Sequence, residues 1–403
     1  MPKQKQFLEA EEAAATLGIS RATLYAYVSR GLIRATQSAD DPRRRLYGVH
    51  DIAQLKKRKT VGRRPREVAA ATLDWGLPVL TSEITLIEDG HLFYRGHDAV
   101  RWAESAALEE TARLLWSCGD NDPFEASTGR ASPWDKATLK LVSDLPLTER
   151  CQILLPLVPL GRATAWQRDN RRLWPGAATL LRAIAAAASA SQPTSLPVHA
   201  HLARTWDLNK IAADIVRRAL VLLADHELNA SAFAVRVVAS TGASLGACLN
   251  AGLSALSGPL HGGTTSLVEA LLEEVDESGN AAMVVEKRLR RGDGVPGFDH
   301  RLYPEGDPRA AALLPILPKD ASRTALLDVM ADTAGKFPHI DFALVSIRRA
   351  FGLPAGSALA LFAIGRTVGW IAHALEQRNE EKLIRPRARY TGPSPKVNNH
   401  TQQ

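Results

Sequence analysis

Between Ala107 and Gln377 apolar residues recur at the three-and-four spacing of a helix, and the two-residue alternation of a strand almost disappears. The periods run from Ala107 to Trp116, Ala177 to Ala188, Asn209 to Leu223, Ala232 to Leu256, Ser266 to Val275, Phe342 to Phe351 and Ala358 to Gln377. Such a chain must bury helix faces against other helices, so the body is predicted to be almost wholly α-helical. Short apolar runs at Ile84–Ile87 and Leu92–Tyr94, either side of Asp89-Gly90, predict one small hairpin. Residues 119–175 hold several prolines and give no clear period. The 403 residues allow two or three domains and a large core. Ala177 to Ala190 is broken by Arg182 and too short for a bilayer. Met1 to Gln6 lacks the apolar stretch of a signal peptide. A cytoplasmic protein with no membrane partner is therefore expected. Cys118, Cys151 and Cys248 have neither metal-ligand nor redox spacing and are expected to be free buried thiols.

The formal net charge of +7 is unevenly placed. Residues 1–66 hold 15 basic and 6 acidic side chains, a net of +9, and the remainder is slightly acidic. That asymmetry predicts a polyanion-facing module on a near-neutral body. Within the module, Glu11 to Ala15 reads as helix, Leu17-Gly18-Ile19 as a break, and Ser20 as the cap of a second helix reaching about Arg30. Ala14, Gly18 and Leu24 have the sizes that a helix-turn-helix needs. Arg21, Thr23 and Tyr27 are then free to face a DNA groove. Arg43, Arg44 and Arg45 precede Leu46-Tyr47 as in a basic wing, and Val49 to Lys59 reads as a third helix. Phe7 to Leu55 resembles the MerR-like or excisionase-like winged helix-turn-helix, which implies duplex DNA as a partner. The alternative is a solvated basic domain that binds no DNA. Gly62 to Arg66 reads as the linker.

In the body, Asp225-His226-Glu227 closes an apolar helix. His261 sits in the glycine-rich turn Gly258 to Gly263, and His300 lies within Gly297-Phe298-Asp299-His300-Arg301. Asp307-Pro308-Arg309, Asp341, Arg366 and Arg385-Pro386-Arg387 follow. Singly, each has a structural explanation: a histidine in a turn caps a helix, and an arginine on an apolar face pairs with an acid. The histidines form no close pair on one helix, so a metal site is not predicted.

Taken together, these segments resemble the citrate synthase family. The similarity rests on Leu223 to Ser231 continuing through Val235 to Gly242, on Ser257 to Gly263, on Val295 to Arg309, on Ile340-Asp341-Phe342, and on Arg366 to Gln377 with Leu383 to Gly392. It reaches from about Leu77 to Pro393. The resemblance implies a mainly all-α fold of large and small helical domains. Residues 67–403 would form it, with the small domain at about 263–351, behind a helix-turn-helix domain and basic linker at 1–66. It implies condensation of acetyl-CoA with a 2-oxo acid, oxaloacetate giving citrate, in a homodimer. No cofactor is implied, since acetyl-CoA is a substrate. Asp341 would be the base, His261 would bond the thioester oxygen, and His300 would polarise the 2-oxo carbonyl and protonate the alkoxide. Arg309, Arg366 and His226 would hold the dicarboxylate, Arg385 would come from the neighbouring subunit, and Val295, Pro296 and Gly297 would receive CoA.

Three departures from the family pattern bear on the site. Asp299 stands where glycine is usual, and is expected either to raise the pKa of His300 or to alter the turn. His339 replaces the usual asparagine before Asp341, and Ala343-Leu344 replace small polar and glycine residues after it. These changes suit an alternative, a DNA-binding regulator that uses the same fold as a metabolite sensor. The joint presence of Asp341, His261 and His300 suits the enzyme.

Overall fold

The structure is a computed structural model. It describes residues 7–29, 32–37, 41, 44–49, 51–52, 55, 80–125, 133–159, 167, 169–388 and 390–393. Contacts divide the chain into two compact units, Met1–Thr81 and Ser82–Gln403.

The first unit opens with β1 (Phe7–Glu9), α1 (Ala10–Leu17) and α2 (Arg21–Ser29), followed by β2 (Ala35–Gln37) and β3 (Arg45–Gly48). Gly18 ends α1 in the left-handed conformation, and Ile19 N donates to Ala14 O at 3.0 Å. Ser20 Oγ accepts from Thr23 N at 3.2 Å and so starts α2, as its position predicts. Ala13, Ala14, Leu17, Leu24, Ile33, Tyr47 and Ile52 form the core. The β3 strand lies between β1 and β2, antiparallel to both, so β2 and β3 form the wing of a helix-turn-helix. Residues 49, 51, 52 and 55 are helical. Arg43, Lys56 to Lys59 and the linker at 62–66 lie outside the described residues.

The second unit starts with β4 (Thr85–Glu88) and β5 (His91–Tyr94), joined by Asp89-Gly90 with both residues at positive φ, and β6 (His97–Asp98) extends the sheet. Helices follow: α3 (Ala99–Ser105), α4 (Leu108–Leu115), α5 (Lys136–Val142), α6 (Leu147–Leu154), α7 (Asn170–Ala188), α8 (Val198–Thr205), α9 (Lys210–Leu222) and α10 (Ala230–Ser240). The chain then forms α11 (Leu245–Leu256), α12 (Thr264–Ser278), α13 (Ala281–Arg290), α14 (Pro308–Leu313), α15 (Ala321–Ala334), α16 (Ile340–Ala350) and α17 (Ser357–Asn379).

Most of these helices begin at a short polar side chain that accepts a backbone N–H. Asp98, Asp135, Asp169, Asn209, Asn229, Ser244, Asn280, Asp307 and Asp320 all do so. Such caps correct two expectations. The period from Ala232 to Leu256 is two helices, because Gly242 turns at φ +81° and Ser244 starts a new cap. The helix expected from Ala177 begins instead at Asn170, capped by Asp169, and carries Pro175 within it.

Buried at the centre, α17 packs on α4, α7, α9, α10, α11 and α16. It is long and apolar enough to cross a membrane, but it is a core helix here. Gly252 lies against the Trp370 ring, and Gly365 and Gly369 against Leu223 and Ala224. A Cβ on Gly369 would stand 2.5 Å from Ala224 O, a backbone atom, and closer still to Asp225 Oδ1, which is buried against His373. Gly369→Ala is therefore expected to destabilise the protein by about 2–3 kcal/mol, the cost of overpacking a rigid contact. Urea unfolding of the two proteins side by side measures it.

Candidate active site

The close approach of α17 fixes one wall of a polar cluster. Gly369 N donates to Ala224 O at 2.8 Å, and Arg366 Nε donates to Leu223 O at 3.0 Å. Asp225 is fully buried beside His373, with Oδ1 3.3 Å from Nε2. His226 comes next, in a turn that Glu227 completes at φ +55° before Asn229 caps α10. Arg366 and His226 are thus held by two backbone segments in contact.

The opposite wall is the 295–309 loop, stitched to the segment leading into α16. Asp299 N donates to Phe337 O at 3.1 Å, and His339 N donates to Gly297 O at 2.8 Å. Asp307 caps α14, bonds Arg309 through both oxygens at 2.9 and 2.7 Å, and accepts from Ile340 N at 3.0 Å. One buried carboxylate therefore positions Arg309 and the start of the helix that carries Asp341. His300 lies 5.3 Å from His226 and 5.1 Å from Tyr303, ring to ring. Tyr303 Oη is 3.1 Å from His226 Nε2, and the Arg309 guanidinium lies 5.6 Å from the Tyr303 ring.

His261 is oriented from behind. Its Nε2 is 2.9 Å from Ser231 Oγ, which accepts from Trp370 Nε1 at 3.1 Å and lies 2.7 Å from Asn229 Oδ1. Trp370 can only donate. The single Ser231 proton goes either to Asn229 Oδ1 or to His261 Nε2, and that choice decides which His261 nitrogen is protonated. For His300 the tautomer follows directly. Its Nδ1 accepts from Leu302 N at 3.2 Å, so the neutral ring carries its proton on Nε2.

Burial sets the charge of these groups. It holds His226 well below 6.5, helped by Arg309, Arg366 and His300. His261 is lowered to about 4 by burial and Arg366, against the pull of Asp341. His300 is likewise lowered to about 4, by burial and then Arg309. Burial opposes ionisation of Asp307, but Arg309 wins and keeps that carboxyl below its usual range. Arg366 is lowered by burial, partly offset by Asp225. The arrangement is two cations among three neutral imidazoles, suited to a small anion with a polarisable carbonyl.

His226, His300, Arg309 and Arg366 thus come together, and Arg366 and Asp341 both act on the charge of His261. Val295, Pro296 and Gly297 form the loop entering His300, with Val295 buried. Arg385 is exposed on the extended segment after α17. Tyr303, Asp307, Ser231 and Trp370 were not expected at the site. Asp307-Pro308 is a helix-start signal that marked Asp307, whereas nothing in the sequence marked Tyr303. In the first unit Arg21 is exposed and pairs with Glu11 at 3.2 Å. Thr23 Oγ1 meets Ser20 Oγ at 2.9 Å, and Tyr27 packs partly on the core, leaving Tyr25 as the exposed aromatic of α2. Arg44 and Arg45 are exposed, Arg44 lying 3.4 Å from Glu9.

The departures have plain structural roles. Asp299 adopts φ +70°, a conformation that glycine takes most easily, and its carboxylate pairs with Lys336 at 2.5 Å. The turn is kept, and His300 is not raised. His339 caps α16, with Nδ1 accepting from Asp341 N at 3.3 Å and standing 3.1 Å from Asp341 Oδ2. Ala343 and Leu344 are buried in the core. Among the described residues no group of three His, Cys, Asp or Glu is placed to hold a metal.

The family model described as "Citrate synthase, C-terminal domain" matches residues 72–387, and that described as "MerR HTH family regulatory protein" matches residues 9–61. The chain is 31% identical over 359 residues to the citrate synthase of Haloferax volcanii, covering 79% of this chain and 94% of that one. It is 33% identical over 187 residues to the 2-methylcitrate synthase of Shewanella oneidensis, covering 44% of this chain and 50% of that one. Its structure is similar to the crystal structure of citrate synthase from Thermotoga maritima, with a TM-score of 0.64, 26% identity, and coverage of 80% of this chain and 96% of that one.

Neutral buried histidines make stability depend on pH. Between pH 6.5 and about 4 the unfolded chain binds protons that folded His261 and His300 refuse. Stability is full above that window and is lost as pH falls through it, by at most about 1.4 kcal/mol per pH unit per histidine. His300→Gln is expected to flatten the acid slope by one histidine's contribution, measured by urea unfolding across the window.

Proposed function

The chain belongs to the citrate synthase family, a family of acyltransferases, and on that premise we propose that it condenses acetyl-CoA with oxaloacetate and water to give citrate and CoA. The observation that carries this reading is the meeting of buried Arg309, Arg366 and His226 with half-buried His300 in one cluster. Two fixed guanidinium groups suit a dicarboxylate, and neutral imidazole donors suit its 2-oxo oxygen.

In this mechanism Asp341 takes a proton from the acetyl methyl group. That carbon acid is too weak to ionise unless its oxygen is stabilised at the same time. His261 supplies that stabilisation by hydrogen-bonding the thioester oxygen, its ring held by Ser231 Oγ 2.9 Å from Nε2. The enol carbon then attacks the 2-oxo carbon, forming the C–C bond while the carbonyl π pair moves to oxygen. His300 Nε2–H polarises that oxygen and protonates it. Water hydrolyses the resulting thioester and releases CoA. Val295, Pro296 and Gly297 receive CoA along their backbone. Arg385, exposed beyond α17, binds the acid in a neighbouring subunit of a homodimer, and the small helical domain at about 263–351 closes over the substrates.

The N-terminal unit, in this reading, contacts duplex DNA. The MerR match and the +9 charge of residues 1–66 support it. Arg43, Arg44 and Arg45 meet phosphates from the wing, and Arg21, Thr23 and Tyr27 belong to the helix that enters the groove.

Thiol release from acetyl-CoA is expected only when oxaloacetate is added. Asp341→Asn should lower its rate by about 100-fold or more, as loss of a general base does, while oxaloacetate still binds. A protein that binds both ligands but releases no thiol from acetyl-CoA or propionyl-CoA supports metabolite sensing instead. For the N-terminal unit, duplex DNA affinity should fall with salt by a slope of about −0.9 per neutralised phosphate. Alanine at Arg43, Arg44 and Arg45 should flatten that slope in the full chain. A salt-independent affinity overturns the phosphate contacts.

A further inference from the structure

Tyr303 is 2% exposed, and its ring is wedged between His300 at 5.1 Å and the Arg309 guanidinium at 5.6 Å. Its hydroxyl meets His226 Nε2 at 3.1 Å. Burial pushes the phenol up to about 12, so its proton is present at any working pH. His226 is neutral for the same reason, so one of its nitrogens is bare and the other protonated. Two orientations of the contact exist. Either Tyr303 donates to a bare Nε2, or Nε2–H donates to the phenol oxygen.

The surrounding charges choose between them. Arg309 and Arg366 both act on the phenol oxygen. They attract its lone pairs and repel its proton, which turns the O–H away from them toward His226. The opposite orientation also leaves Nδ1 as a bare lone pair in a pocket built for an anion. A lone pair repels a carboxylate or a carbonyl oxygen, and His226 would then have no proton to offer.

We propose that Tyr303 is a positioning residue for the 2-oxo acid: its hydroxyl donates to His226 Nε2 and holds that imidazole as the Nδ1–H tautomer, so that its remaining donor serves the substrate. This rests on the reading of His226 as a substrate ligand, and it adds a residue that reaches the acid only through another side chain. It also explains the placement of a buried phenol between His300 and Arg309, where an aliphatic side chain would fill the same space without a dipole to orient.

The test uses the full chain with 15N-labelled histidine, His226 being assigned from its loss in His226→Gln. In the wild-type protein the Nδ1 of His226 should carry the proton and Nε2 should be bare. Tyr303→Phe keeps both ring contacts and removes only the hydroxyl. It should show the two tautomers mixed, and raise the KM for oxaloacetate by about tenfold, the change one hydrogen bond makes, with a smaller change in kcat. A wild-type His226 protonated on Nε2 overturns the inference, whether or not the variant folds. So does a folded Tyr303→Phe with unchanged tautomer and KM. A wild-type protein without turnover defeats the condensation reading separately, since the tautomer is read without substrate.

Discussion

The contact between α17 and the turn at 223–226 is made by backbone, because Gly365 and Gly369 put no side chain between them. Arg366 therefore reaches Leu223 O, and Gly369 N reaches Ala224 O. The next residues along the turn are Asp225, buried against His373, and His226. Farther along the same helix, Trp370 holds Ser231, which holds His261. At its C-terminal end Glu376, Gln377 and Glu380 surround the fully buried Arg236 of α10. A buried guanidinium with three partners is costly to unpair, so α10 and α17 keep one register. Both histidines on this side of the site take their positions from that register.

The electrostatic character of the site follows from depth. Two guanidinium groups close together suppress any third positive charge, and burial acts in the same direction on each imidazole. The histidines are consequently held neutral. Among the described residues one carboxylate, Asp307, is bound directly to either arginine by hydrogen bonds, and it uses both oxygens on Arg309. Arg366 is bonded through Nε to a carbonyl, which leaves its charge unneutralised by any direct carboxylate bond. An anionic ligand would supply what the protein withholds there, so the cluster suits an anion better than a neutral compound.

The helical body and the hairpin were legible because their signals are local: apolar period, an Asp-Gly turn, and Asx or Ser caps. The period alone misled at Ala232 to Leu256, where two helices share an apolar face in sequence and only Gly242 and Ser244 mark the break. At Asn170 the opposite happened, since Pro175 hid a helix that Asp169 starts normally. The histidines of the site stood out because each sits in a distinctive turn, Arg309 because it follows Asp307-Pro308, and Arg366 because it lies inside an otherwise apolar helix. Tyr303, Ser231 and Trp370 did not, since an aromatic or a serine in a helical chain has no spacing that separates a site residue from a core one. Their roles depend on contacts between segments 30 to 139 residues apart.

Asp299 and His339 show how a site absorbs substitutions at its edge. The 297–300 and 336–339 segments are joined by backbone bonds, which need only the right φ and a free N–H. Asp299 meets the first condition at a cost of about 1–2 kcal/mol relative to glycine. Its exposed pairing with Lys336 offsets part of that cost. Its carboxylate is exposed and paired with Lys336, and burial and Arg309 outweigh any upward pull on His300. His339 meets the capping need of α16 with a ring nitrogen where an amide oxygen would serve, and it places an imidazole 3.1 Å from Asp341 Oδ2. The two changes differ in kind. Asp299 alters only the support of the loop, whereas His339 stands directly against the Asp341 carboxylate.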